Sequence, residues 1–174
     1  MNRIKRKIAA LALASVLIVQ TACGGNVLTT VRLALASSGP LVNSLVAAGV
    51  LKQEQAGPII TDFTDGSNVA LTLQTDFKAC AKDRPCKLRA AQKAETGFRA
   101  IINRQHFAAN PRVQQIADIA SGILSSLVIF YGGTSPNATV MVAMDAGPPL
   151  TDDQIEARVK PDADKLKQLM KMDK

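Results

Sequence analysis

Hydrophobic side chains recur every three or four residues over most of the chain beyond residue 26, which is the spacing of one helix face. The pattern is clearest between residues 111 and 131, where it comprises Val113, Ile116, Ala120, Ile123, Leu127 and Phe130. Asn110 and Pro111 are typical of an N-cap and a first helical position, and Gly132-Gly133 ends the pattern. We expect a buried bundle helix, because the uncharged part, 119–131, is shorter than the roughly 20 residues that cross a bilayer.

The stretch from residue 27 to residue 51 is the most apolar part of the chain after the N-terminal region, with Arg32 as its only charged residue. Its helically spaced positions are Leu28, Val31, Leu35, Leu41, Leu45 and Ala48. Ser37-Ser38-Gly39-Pro40 interrupts them, which predicts two short helices or one kinked helix. The stretch is either a core hairpin or a surface that meets lipid. We favour the core, because the later helices need partners for their apolar faces.

Two further helices are predicted on either side of a cysteine-flanked turn. Gly57-Pro58 is expected to open the first, with Gly66-Ser67-Asn68 as a weak point in its middle. Its apolar stripe comprises Ile59, Phe63, Val69, Leu73 and Phe77. The second is expected over 87–107, with a stripe of Leu88, Ala91, Phe98 and Ile102.

The helical periodicity stops between residues 132 and 150. This part predicts a connecting arm containing Pro and Gly, with a short extended segment at 138–144. Thr151-Asp152-Asp153-Gln154 has the form of a capping box and opens a charged helix over 151–174. Pro161 is expected to break or restart that helix. Its apolar residues Leu166, Leu169 and Met170 could pack on the bundle. The chain is therefore predicted to be all-α, with a bundle of four to five helices over 27–131 and a charged C-terminal helix.

The first 25 residues have the order of segments found in an export signal. Residues 1–7 include four basic side chains and no acidic one, and residues 8–19 are apolar except for Ser15. A basic region, a short apolar region and small residues form a secretory signal peptide. Thr21-Ala22-Cys23 comes next, followed by Gly24 and Gly25. Although Gln20 stands where an aliphatic residue is usual, the segment resembles the signal of a bacterial lipoprotein.

This resemblance implies a signal peptide at 1–22 and a tether at 23–26 that begins with an acylated Cys23. It also implies a place in the cell envelope, with the outer membrane favoured because Gly24 is not the Asp that retains some lipoproteins at the inner membrane. The alternatives are an ordinary cleaved signal and an uncleaved anchor. The first would put Gln20 at the −3 position, where a small residue is preferred. The second has 12 residues over 8–19, whereas a bilayer needs about 20.

The chain has three cysteines. If Cys23 carries lipid, Cys80 and Cys86 remain as a pair around a polar turn. In an oxidising compartment we expect a disulfide between them, worth about 2 kcal/mol for so short a loop. Free thiols or a metal site are the alternatives, and the metal is disfavoured because two thiols and a distant His106 make a poor ligand set. No metal or cofactor is expected.

Charge is distributed unevenly between the two central helices. Residues 53–77 carry four acids and no base, and residues 78–104 carry eight bases and two acids. Charge complementarity in a helical hairpin is the simpler interpretation. The alternative is that Lys87, Arg89 and Lys93 face anionic headgroups of the membrane that holds the tether. Asp62 and Asp65 do not have the alternating ligands of a calcium loop, so we expect solvated carboxylates.

The chain has few of the sequence features that mark an enzyme or a nucleic-acid-binding protein. His106 is the only histidine and is expected to be a surface residue near a helix end. The serines Ser37, Ser38, Ser125 and Ser126 have no nucleophile-elbow context, and the chain contains neither glycine-rich phosphate motif. Cleavage before Cys23 removes four of the 21 Lys and Arg residues and none of the 14 acids, so the net charge falls from +7 to +3. With five Phe, one Tyr and no Trp, a nucleic-acid partner is not expected.

The sequence therefore predicts a membrane-tethered envelope lipoprotein with a non-enzymatic structural or protein-interaction domain. Its partners are expected to be the membrane, through the N-terminal lipid, and an envelope protein. A helical lipoprotein that binds a small hydrophobic ligand or lipid is the alternative, because the apolar faces of 27–51 and 113–131 could enclose one. An enzyme is the third hypothesis.

Overall fold

The computed structural model of the protein describes residues 27–136 and 149–171. These residues form six α-helices and one 3-10 helix, and no strand occurs among them. In chain order the elements are α1 (Val27–Ala36), α2 (Ser38–Ala47), α3 (Gln53–Cys80), α4 (Arg84–Ile102), the 3-10 helix (His106–Ala109), α5 (Pro111–Phe130) and α6 (Asp152–Lys171). The predicted all-α bundle is confirmed. Cys23, with the expected signal and tether, and the expected extended segment at 138–144 lie outside the described residues.

Five of these helices pack side by side in a closed ring. α1 lies against α3, α3 against α4, α4 against α5 and α5 against α6, and α6 returns to α1. α2 packs on α3. The largest side chains buried inside include Leu35, Ile59, Phe63, Leu73, Phe98, Ile116 and Ile123. The charged C-terminal helix is thus a full member of the bundle, and its buried stripe is Ile155, Val159, Ala163 and Leu166.

The apolar stretch after residue 26 forms two short helices, and α1 supplies core residues. Leu28, Val31 and Leu35 are buried on α1, and Leu41 and Val42 are buried on α2. The break falls at Ser37, whose hydroxyl donates to the carbonyl of Ala34 at 3.1 Å. Of the two forms left open by the sequence, the structure has the pair of helices.

α3 begins at Gln53, so the prediction that Gly57-Pro58 opens it is wrong. The helix extends one turn further because Gln55 accepts a hydrogen bond from the Lys52 amide at 3.0 Å. Pro58 is the sixth residue of the helix, and its missing amide leaves the carbonyl of Glu54 without an intrahelical donor.

The expected weak point in the middle of α3 is a packing site. The helix runs through Gly66 without interruption. A Cβ atom on Gly66 would stand 2.6 Å from Cε2 of Phe98, so the missing side chain makes room for that ring. The hydroxyl of Ser67 donates to the carbonyl of Arg32 at 3.2 Å and joins α3 to α1. Glycine is required here by the close approach of α4.

α4 ends at Ile102, five residues before the predicted end at Phe107. Gln105 then adopts a left-handed conformation with φ of 63°, which turns the chain into the 3-10 helix. This turn directs Phe107 into the core, where its ring centroid lies 4.8 Å from that of Phe63. Burial of Phe107 is the physical reason for the early end.

The sequence signals at the starts of α5 and α6 are confirmed. The Asn110 side chain accepts from the amides of Arg112 and Val113 at 2.9 and 3.3 Å. Thr151 and Gln154 form the reciprocal capping box. α6 continues through Pro161, which is exposed, so water can reach the carbonyl that the proline leaves without a donor.

One helix among the described residues, α5, is long and apolar enough to cross a membrane. In its most apolar window, 61% of the residues are buried inside the bundle. Val113, Ile116, Ala120 and Ile123 are all buried in the ring. α5 is thus the core helix that the sequence predicts.

Candidate functional site

Five helix ends meet at one pole of the bundle, where α1, α4 and α6 begin and α3 and α5 end. They surround a cleft of about 190 Å³ that is lined in part by Val27, Phe77, Lys87, Tyr131 and Asp152. Val27 is the fourth residue after Cys23 in the sequence. A chain anchored at Cys23 would therefore enter the bundle at this end, which we name the tether pole.

A disulfide closes the turn between α3 and α4 at the tether pole. Cys80 is the last residue of α3 and Cys86 lies in the first turn of α4, with their Cα atoms 5.5 Å apart. The carboxylate of Asp83 caps α4 by accepting from the Cys86 amide at 3.1 Å. The predicted Cys80–Cys86 pair is confirmed.

Lys87 does not lie on an exposed basic face, so its prediction as a membrane-facing residue is wrong. Its side chain is 9% exposed, and Nζ lies 2.5 Å from Oδ2 of Asp152, the first residue of α6. Lys87 precedes Ala91 by four residues and Ala94 by seven, so it continues the buried stripe of α4. The ammonium group is compensated because α6 places a carboxylate beside it.

Asp152 also accepts a hydrogen bond from Tyr131 Oη at 2.9 Å. Burial raises the pKa of Asp152, but the hydrogen bonds from Lys87 and Tyr131, together with the positive charges of Lys87 and Arg84, leave that pKa below its usual value. Burial, followed by the hydrogen bond to Asp152, raises the pKa of Tyr131 well above its usual value. The phenol therefore stays protonated and the carboxylate stays charged at neutral pH.

Arg84 ties the ends of two further segments to the tether pole. Its guanidinium donates to the carbonyl of Leu150 at 2.7 Å and to the carbonyl of Phe130. The same group lies over the Tyr131 ring, 5.5 Å from the centroid. Arg84 thus holds the end of α5 and the approach to α6 against the start of α4.

Arg89 and Lys93, the other two predicted basic site residues, are exposed and lie together on α4. Both line a shallow depression of about 270 Å³ around the disulfide, together with Asp76 of α3. Lys93 also borders a larger groove of about 330 Å³ between α3 and α4, whose apolar lining includes Val69, Leu73, Ala90 and Ala94. This arrangement can place cationic groups beside an apolar surface.

The sequence did not predict a second polar cluster, at the opposite end of α4. The Asp62 side chain is 1% exposed, so the prediction of a solvated carboxylate is wrong for this residue. Its Oδ1 accepts from Arg104 at 2.8 Å, and its Oδ2 lies 2.8 Å from Nδ1 of His106. Arg104 also donates to Asp65 at 2.6 Å. The predicted surface role of His106 is incomplete, because its half-exposed ring pairs with a buried acid.

This cluster has the chemistry of a structural clasp. The hydrogen bonds that Arg104 donates to Asp65 and Asp62 raise its pKa, so the guanidinium between the two carboxylates stays charged. One signal in the sequence marks Asp62 as buried, because it follows Ile59 by three residues and precedes Gly66 by four. Among the described residues, no group of three or more His, Cys, Asp or Glu side chains is arranged to hold a metal ion.

A third polar cluster is built on Glu95 of α4, which is buried. Its carboxylate accepts hydrogen bonds from Ser125 Oγ at 2.8 Å and from the hydroxyl of Ser135. Nη2 of Arg99 lies 3.5 Å away. The cluster joins α4 to α5 and to the chain beyond α5, so Ser125 has a packing role.

Comparison with protein-family models found no match, and neither curated proteins nor solved structures gave one.

Proposed function

We propose that this protein is a lipid-anchored protein of the bacterial cell envelope, held by an acylated Cys23. Its helical bundle then acts as a non-enzymatic structural or protein-interaction domain beside the membrane. The observation that carries the proposal is the Cys80–Cys86 disulfide. It supports an oxidising compartment, and it leaves Cys23 as the one cysteine available for another purpose.

The polar clusters support a structural role, because their groups join elements of the bundle. Lys87 pairs with Asp152, Arg104 with Asp62, and Glu95 accepts from Ser125. Each contact joins two elements that are distant in sequence, as expected of groups that hold a bundle together. The surface that remains for a partner consists of the exposed helix faces and the grooves between them.

A second candidate function, binding of a small hydrophobic ligand or lipid, is favoured by one observation. The groove between α3 and α4 has a volume of about 330 Å³ and a mainly apolar exposed surface, and Asp76 and Lys93 are among the residues that line it. Small-molecule sites are mostly apolar and have a few placed polar groups. Native mass spectrometry of the purified protein distinguishes the two functions, since a co-purifying lipid supports the binder and its absence supports the interaction domain.

The proposed anchor is tested by replacing Cys23 with Ala and following the protein by membrane fractionation. Gln20→Leu is the matched control, because it changes the same short segment and keeps the cysteine. We expect the wild type and Gln20→Leu in the membrane fraction. We expect the mass of Cys23→Ala to show no lipid increment. A Cys23→Ala protein that carries the same increment would contradict the proposal. Cross-linking of the wild type in cells then tests for an envelope protein partner.

A further inference from the structure

The tether fixes how far the bundle can lie from the membrane. Three residues separate Cys23 from Val27, the first residue of α1. Each extended residue spans at most about 3.6 Å, so four steps reach about 14 Å. A bundle anchored at Cys23 therefore keeps its tether pole next to the headgroups. This step rests on the proposed lipid anchor.

Four exposed basic side chains lie on α3, α4 and their connecting turn, and we name them the basic rim: Lys78 and Lys82 at the tether pole, Arg89 further along α4, and Lys93 in the middle of α4. Lys78 lines the same cleft as Val27. Lys82 lies in the disulfide-closed turn. Arg89 and Lys93 line the depression beside the disulfide. Within the described part of the chain, none of the four has an ion-pair partner, so their charges face solvent.

Acidic residues are also present at this pole, and most of them are engaged in contacts within the bundle or belong to α6. The Asp83 carboxylate caps α4 through the Cys86 amide. Asp152 is engaged by Lys87 and Tyr131. Asp153 and Glu156 belong to α6, on the other side of the cleft. Asp76 of α3 is the one acid that lines the depression together with Arg89 and Lys93.

From this geometry we infer that the basic rim is the membrane-contact surface of the protein and binds the headgroups of anionic phospholipids. The tether brings this end to the membrane, and the exposed charges on the α3–α4 side are of the sign that anionic lipids attract. Basic residues near an anionic surface each strengthen binding by about fivefold. The disulfide closes the turn that carries Lys82, which lies in the chain between Lys78 and Arg89. Lys87 takes no part in this contact, because it is buried against Asp152.

The inference is tested on the mature protein, purified from membranes and reconstituted into vesicles. One preparation contains phosphatidylcholine alone, and the other contains equal parts of phosphatidylcholine and phosphatidylglycerol. The rate at which each lysine reacts with an acylating reagent is followed by peptide mass spectrometry. We expect Lys78 and Lys82, at the tether pole, to react severalfold more slowly on anionic vesicles, and high salt to restore their rates. Lys165 and Lys167, near the far end of α6, are controls within the molecule and are expected to react equally in both vesicles.

A variant tests the energy of the contact. The triple change Lys78→Gln, Lys82→Gln and Arg89→Gln removes three charges from the rim, and Lys52→Gln, Lys165→Gln and Lys167→Gln removes three from the opposite end. All six positions are exposed, and circular dichroism verifies the fold of both proteins. For domains released from the lipid by cleavage in the tether, we expect the rim variant to bind anionic vesicles on the order of 100-fold more weakly than the wild type. The control is expected to bind within a few-fold of the wild type.

The outcomes separate this inference from the anchor. Intact mass of the same preparation reports whether Cys23 is acylated. An acylated protein whose rim lysines react equally on both vesicles would overturn the inference and leave the anchor standing. Protection seen in native membranes but not on anionic vesicles would also overturn it, since the contact would then be with a protein. If Cys23 is not acylated, flotation of that protein with anionic vesicles tests the basic rim. Binding that is lost in the rim variant would support the inference, and no binding would overturn it.

Discussion

The Nζ atom of Lys87 lies 2.5 Å from Oδ2 of Asp152 and joins α4 to the first residue of α6. The lysine side chain is buried, the carboxylate is half exposed, and the two residues are 65 positions apart in the chain. Tyr131, directly after α5, donates to the other oxygen of the same carboxylate. The pair therefore secures the helix that closes the ring.

Removal of the Asp152 carboxylate leaves the Lys87 ammonium buried without its partner. We expect Asp152→Ala to lower the free energy of unfolding by about 1–3 kcal/mol, less than for a fully buried pair because Asp152 is half exposed. Asp153→Ala, an exposed acid in the same turn, is the matched control and is expected to cost less than about 0.5 kcal/mol. Urea denaturation measures both, and equal effects would contradict the role given to the pair.

The contribution of Asp152 depends on pH. Its pKa is lower in the folded protein than the usual 3.8. A carboxyl of this kind stabilises the fold above its unfolded pKa, and the contribution is lost as the pH falls through the folded value. We expect the difference in unfolding free energy between wild type and Asp152→Asn to be constant between about pH 7 and pH 5 and to shrink below about pH 4. A difference that grows in acid would show that the direction of the pKa shift is wrong.

Gly66 is required by the approach of Phe98. Because an added Cβ would lie 2.6 Å from that ring, we expect Gly66→Ala to destabilise the protein by about 1–3 kcal/mol. Gly122→Ala, in α5, is the control, since nothing lies within 4 Å of its added Cβ and no proline follows it. It is expected to be neutral or to stabilise by up to about 1 kcal/mol. Thermal denaturation of both variants checks the contrast, and a stabilising Gly66→Ala would refute the packing account.

The buried Asp62 is expected to matter more than its neighbour Asp65, although both accept from Arg104. Asp62→Asn places an amide group where Arg104 and His106 now find carboxylate oxygens, and we expect a loss of about 1–3 kcal/mol. Asp65→Asn changes a partly exposed carboxylate and is expected to cost less than about 1 kcal/mol. Chemical denaturation at neutral pH gives the comparison, and the reverse order would argue against the clasp.

The disulfide is expected to contribute about 2 kcal/mol to stability, because it closes a short loop. The double variant Cys80→Ser and Cys86→Ser should lose this amount, and the reduced wild type should match it. Cys23→Ser is the control, and the stability of its folded domain is expected to be unchanged. A domain equally stable with and without the disulfide would contradict this estimate.

Local patterns predicted most of the helices. The spacing of Val113, Ile116 and Ala120 predicted α5, and Asn110 marked its first residue correctly. The Thr151 capping box did the same for α6. These signals are readable because both partners of each contact lie within one or two turns.

The errors at Lys87, Asp62 and Gly66 concern residues whose partners lie on other elements of the fold. Lys87 is buried because α6 brings Asp152 to it, and Asp62 is buried because the turn after α4 brings Arg104 and His106 to it. Neither pairing leaves a pattern within one helix. The local sequence around Gly66 predicts a weak point, because the role of this glycine depends on Phe98 of the neighbouring helix.

The measurement that tests the account most directly is the intact mass of the wild-type protein purified from the membrane fraction. A lipid-anchored protein should give a chain that begins at Cys23, carries a lipid increment on that residue and has one disulfide between Cys80 and Cys86. A chain with an unmodified Cys23 thiol would contradict the lipid anchor, and with it the proposed position of the bundle beside the membrane.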